Sequence, residues 1–77
     1  MFNQTIFCER LKALRIQHKL SQAQFGDILG ISKPAISDIE RGRRATTIEK
    51  LTDIADYFDC SVDFLLGRTD NPDSHKR

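Results

Sequence analysis

Residues 22–39, QAQFGDILGISKPAISDI, carry the pattern that decides the fold. Counting Gln22 as the first position, apolar side chains stand fourth (Phe25), eighth (Leu29), tenth (Ile31), fifteenth (Ile36) and eighteenth (Ile39). Glycine stands fifth (Gly26) and ninth (Gly30). Steps of three and four residues are those of two short helices, each with one buried stripe. Gly26 lets the helices approach closely, and Gly30 supplies a turn that needs a left-handed backbone. Pro34 looks like a fault in the second of them, since a mid-helix proline costs about 3 kcal/mol. With Ser32 as the cap, however, it falls in the first turn, where the backbone N–H has no intrahelical partner. The proline marks where the helix begins.

The flanks extend the helical reading. Ser21 and Gln24 form a capping box for the first helix of the pair. Upstream, Phe7, Leu11 and Leu14 predict a helix from about Gln4 to His18, with a corner at Lys19-Leu20. Downstream, ERGRRATT is a loop with Gly42 as stop signal and Thr46 or Thr47 as the next cap; Thr46 with Glu49 would make a second box. A fourth helix, about 47–58, is expected to bury Ile48, Leu51, Ala55 and Phe58. A fifth begins after Ser61 and packs Val62 and Leu65. No segment alternates with period two. GRTDNPDSHKR, from Gly67 onward, has no apolar residue to bury and reads as a tail or linker.

Composition narrows the function classes. The chain of 77 residues, 39% apolar and 30% charged, is one small domain. No apolar run approaches the roughly 18 residues of a membrane span, and MFNQTIFCER has no signal-peptide pattern, so a cytoplasmic location is expected. Cys8 and Cys60 lie far apart and read as reduced filler; the alternative, a disulfide or a metal site completed by His18 and His75, lacks the ligand spacing of zinc sites. The net charge of +1 hides an asymmetry. Residues 1–44 hold eight Lys/Arg against four Asp/Glu, and residues 45–77 four against seven. A basic front half suits a module with one face toward phosphates.

The spacing across residues 22–39 is the helix-turn-helix signature. Around it, RLKALR, LSQ, LGIS, ISDIERG and SVDFLL follow in order. Over roughly residues 9–67 the chain resembles the lambda-repressor-like, Cro-type helix-turn-helix family, often called XRE regulators. The resemblance implies an all-α, five-helix DNA-binding domain over residues 1–67, with the helix-turn-helix at about 21–41 and a flexible tail or linker at 68–77. It also implies repressor-like binding of double-stranded DNA, often by a homodimer on an inverted-repeat operator, with the third helix in the major groove.

On that helix Ile36 and Ile39 point inward, leaving Lys33, Pro34, Ser37, Asp38 and Arg41 outside. Reading base edges needs donors to guanine or adenine, or an acceptor for cytosine. Lys33 can donate, Ser37 can do either and Asp38 can only accept. Lys33, Pro34, Ser37 and Asp38 are therefore the expected base-reading set. Asp38 departs from the family, where a basic or amide residue is common; it either accepts from a cytosine amino group or holds Lys33 or Arg41 in place. Phosphate contacts are expected from Gln22 at a helix N-terminus, Ser32, Arg41, Arg43 and Arg44.

The family also implies a buried ion pair, placed here at Arg15 and Glu40, and a subunit interface at the last helix, with Phe64 and Leu66. Ile16 and Ile28 stand at positions usually polar and exposed and are further candidates for that interface, although scattered exposed apolar residues are also normal. Lys19 and Asp59 stand where glycine is common, costing on the order of 1 kcal/mol each if left-handed. The function expected is sequence-specific DNA binding as a transcriptional regulator, repressor-like, with no cofactor, membrane partner or small-molecule ligand evident. The alternative is an antitoxin-type or protein-interaction module on the same fold. An enzyme is not expected: the sequence offers no nucleophile–base pair, metal-ligand cluster or glycine-rich phosphate loop.

Overall fold

The computed structural model describes residues 4–73. Among them the chain runs through α1 (Gln4–Gln17), α2 (Gln22–Leu29), α3 (Lys33–Glu40), α4 (Ile48–Phe58) and α5 (Val62–Leu65). The fold is all-α. One isolated antiparallel bridge joins Cys60 to Asp73.

Four helices start at a hydroxyl cap. Ser21, Ser32, Thr47 and Ser61 have extended backbones, and each side chain accepts a hydrogen bond from the N–H three residues on. Such a cap contributes about 1 kcal/mol. At Ser21 the box is complete: its Oγ accepts from the Gln24 N–H at 3.0 Å and Gln24 Oε1 accepts from the Ser21 N–H at 2.8 Å. Pro34 occupies the first turn of α3 behind Ser32.

Each helix sends one fully buried side chain to a common centre: Leu11, Phe25, Ile36, Ile54 and Leu65. Each contributes about 1.5–3 kcal/mol by leaving water. Phe7, Leu29, Ile39 and Phe58 pack around them. The α2–α3 corner is tight. A Cβ on Gly26 would lie 2.5 Å from the Ile31 carbonyl oxygen, so only glycine lets the turn close here. Gly30 ends α2 at φ 74°, and the Ile31 N–H then reaches back to the Gly26 carbonyl at 2.9 Å. Lys19 and Asp59 are left-handed as well, at φ 58° and 52°.

Two expectations are corrected. Ile48 is 84% exposed, because it is the first residue of α4 and stands at the margin of the stripe set by Leu51, Ile54, Ala55 and Phe58. Thr47 caps α4 through the Lys50 N–H, so the Thr46–Glu49 box does not form; the Thr46 hydroxyl donates to the Thr47 carbonyl instead. Residues 68–73, the described part of the expected flexible tail or linker, are hydrogen-bonded to the rest of the fold. Arg10 donates to the carbonyls of Phe64 and Thr69 and to the Asp70 carboxylate, and the Ser61 N–H donates to the Pro72 carbonyl at 3.1 Å. The Arg10 guanidinium and backbone bonds hold this segment to the rest of the fold. The rest of the tail expectation, and the part assigned to His75, lies outside the described residues.

Candidate nucleic-acid interface

Helix α3 is amphipathic in the literal sense. Ala35, Ile36 and Ile39 are buried, whereas Lys33, Pro34 and Arg41 are exposed and Ser37 and Asp38 half-buried along the opposite side. The outer side therefore offers an ammonium, a hydroxyl and a carboxylate within little more than one turn. Among the described residues no ion pair joins Asp38 to Lys33 or Arg41.

The inner side is fixed by charge as well as by packing. Arg15 Nε donates to Glu40 Oε2 at 2.6 Å and its Nη2 to Oε1 at 3.2 Å, a bidentate pair whose side chains are 11% and 3% exposed. Arg15 Nη1 donates to the Leu20 carbonyl at 2.8 Å, so the guanidinium also braces the corner after α1. Gln22 Nε2 donates to Glu40 Oε1 at 3.2 Å. Gln22 thus ties the start of α2 to the end of α3, and it retains a second N–H and a carbonyl for other partners. The Ser32 hydroxyl accepts from the Ala35 N–H at 3.2 Å and keeps its proton to donate.

Beyond α3 the chain turns through Gly42, and Arg43 and Arg44 follow, both exposed. The Arg43 N–H donates to the Asp38 carbonyl at 2.8 Å, which draws the loop against the helix. Lys33, Arg41, Arg43 and Arg44 lie on α3 and the loop after it, where Asp38 is the one acidic side chain not engaged in the Arg15 pair.

Sequence reasoning missed several supporting residues. Cys8, read as filler, donates its thiol proton to the Ile39 carbonyl at 3.2 Å; burial, with a smaller contribution from the charge of Glu40, pushes its pKa up from 9.0 and keeps it protonated. Gln4 Nε2 donates to the Gly42 carbonyl at 2.9 Å. Lys50 Nζ donates to the Leu29 carbonyl at 2.7 Å, bracing the end of α2 from α4. These contacts span 38, 31 and 21 residues and carry no local signal. Both cysteines are free thiols.

Phe64, next to the end of α5, is half-buried and the Arg10 guanidinium lies over its ring at 4.2 Å. Leu66, also half-buried, lines a small cleft with Phe7, Arg44 and Leu51. Ile16 and Ile28 are 55% and 41% exposed.

A helix pair closed at Gly26–Gly30, with a polar outer face on its second member, defines a helix-turn-helix protein. Comparison with known proteins agrees: the family model described as Helix-turn-helix matches residues 11–65. The chain belongs to the helix-turn-helix family, in its lambda-repressor-like, Cro-type branch. It is 38% identical over 68 residues to the uncharacterized HTH-type transcriptional regulator YobD of Bacillus subtilis, covering 88% of this chain and 61% of that protein. It is 36% identical over 64 residues to repressor protein C2 of Salmonella phage P22, covering 83% of this chain and 30% of that one. A crystal structure of the P22 c2 repressor with a synthetic operator superposes with a TM-score of 0.72 at 37% identity, covering 78% of this chain and 91% of that chain. The chain spans 61% and 53% of the lengths of two Bacillus relatives, YobD and YqaE.

Proposed function

We propose that this chain is the double-stranded-DNA-binding unit of a transcriptional regulator, repressor-like in action, with α3 lying in the major groove. One observation carries the reading: α3 presents Lys33, Ser37 and Asp38 outward while its other face is locked by Ile36, Ile39 and the Arg15–Glu40 pair. A helix fixed in this way can aim side chains at base edges, which a mobile one cannot. The repressor that superposes on the chain was solved with operator DNA, which supports the same partner.

In this reading Lys33, Pro34, Ser37 and Asp38 face the bases. Gln22, Ser32, Arg41, Arg43 and Arg44 hold phosphates and set the register without reading sequence. The chain works as a homodimer on an inverted repeat, with Phe64 and Leu66 near the subunit contact, and it acts in the cytoplasm by binding, without a catalytic step. No described helix is long and apolar enough to cross a membrane.

The test is a titration of a fluorescent duplex of about 30 bp across about 0.05–0.2 M salt. Binding that weakens steeply with salt is expected. Affinity that is absent or insensitive to salt would overturn the reading.

A further inference from the structure

Two side chains of α1 reach the end of α3. Gln4 and Cys8 stand one turn apart on the same side of α1. Gln4 Nε2 donates to the Gly42 carbonyl at 2.9 Å, and Cys8 Sγ to the Ile39 carbonyl at 3.2 Å. Those two carbonyls bracket the place where the chain leaves α3 and enters the arginine loop. The bond from the Arg43 N–H to the Asp38 carbonyl then sets the first arginine relative to the same turn.

We propose that Gln4 and Cys8 are positioning residues for DNA affinity: they clamp the exit of α3 so that Arg43 and Arg44 meet the phosphate backbone, a role that rests on the DNA-binding reading above. The physical argument is one of reach and entropy. An arginine on a free loop must be ordered when it binds, and that cost falls on the complex. An exit turn fixed at two carbonyls from a rigid helix removes part of the cost before DNA arrives.

The two residues differ in kind, which makes them separable. Gln4 is exposed and contributes little to the core, so its replacement leaves the packing of Phe7, Leu11 and Ile39 in place. Cys8 is buried, and only its proton reaches the carbonyl, so serine preserves a donor at that position whereas alanine removes it.

The experiment is the same salt titration, with a random-sequence duplex as probe, on the wild type, Gln4→Ala, Cys8→Ala and Cys8→Ser, at a temperature where thermal melting shows all four folded. For Gln4→Ala we expect affinity at about 0.1 M salt to fall roughly tenfold for each phosphate that the arginines no longer reach, with the log–log salt slope shallower by about 0.9 per phosphate. Cys8→Ala should shift in the same direction, and Cys8→Ser should lie closer to the wild type. A residue that only stabilised the fold would leave the slope unchanged. If the wild type binds with a steep slope and Gln4→Ala matches it in affinity and slope, the clamp is refuted while DNA binding stands. If Cys8→Ser is as weak as Cys8→Ala, the hydrogen-bond role of Cys8 is refuted. If the wild type itself shows no salt-dependent binding, the DNA-binding reading falls and the clamp with it.

Discussion

Arg15 and Glu40, 25 residues apart, meet in a bidentate pair at 2.6 and 3.2 Å, and Glu40 also accepts from Gln22. Three helices are joined at one carboxylate whose side chain is 3% exposed. Removing one partner leaves the other desolvated and unpaired. Arg15→Ala should therefore destabilise the domain by about 3–5 kcal/mol. A double substitution, Arg15→Met with Glu40→Leu, should cost less than Arg15→Ala alone, since no charge is then stranded. Chemical denaturation of the two variants checks this; an Arg15→Ala melt equal to the wild type would show that the pair contributes nothing.

At the α2–α3 corner the constraint is steric. Gly26→Ala brings a Cβ to 2.5 Å from a backbone carbonyl oxygen, and a backbone cannot yield as a side-chain tip can. A loss of about 1–3 kcal/mol or more is expected, the range of an overpacked core. Because the corner sets the angle of α3, DNA affinity should fall even at temperatures where the variant remains folded. Unchanged stability would mean that the turn can open at no cost.

Lys19 gives a prediction of opposite sign. It holds φ 58°, a conformation that costs a non-glycine residue about 1–2 kcal/mol. Glycine removes that strain but brings more entropy to the unfolded chain, worth about 0.5–1 kcal/mol. Lys19→Gly should raise stability by about 0.5–1 kcal/mol, a shift of a few degrees in Tm for a domain of this size. A lower Tm would show that the lysine side chain makes a compensating contact.

Much of this was legible in the sequence, and for local reasons. The Ser21–Gln24 capping box, the Ser32–Pro34 entry and the Gly26–Gly30 spacing act over a few residues, so their chemistry sits side by side in the chain. The errors also have physical causes. Periodicity placed Ile48 on a buried stripe, but at the first turn of a helix a margin position has nothing to pack against. Two adjacent threonines offered equivalent caps, and only the backbone geometry selected Thr47. The reach of Gln4, Cys8 and Arg10 to distant carbonyls was invisible, because a donor alone does not name its acceptor. For the same reason the composition of residues 68–73 suggested a loose end, whereas their backbone carbonyls and Asp70 partner other parts of the fold.

In the proposed reading, Asp38 is one of the residues that set specificity. With no ion pair to Lys33 or Arg41 among the described residues, its carboxylate is available to accept from a cytosine amino group. Asp38→Ala should relax preference at one base pair by about 1–3 kcal/mol while leaving other positions alone. Competition between duplexes differing at single positions measures it. Identical preferences in both proteins would remove Asp38 from the base-reading set.

The most direct test of DNA reading by α3 is a selection of binding sites from a random duplex library at about 0.1 M salt, where phosphate contacts are only partly screened. A dimer that reads bases with α3 should enrich an inverted repeat with half-sites about one helical turn apart. Substitution of Lys33 or Ser37 should alter the enriched bases. A library that emerges unenriched, or a motif indifferent to both substitutions, would contradict the claim that α3 reads DNA.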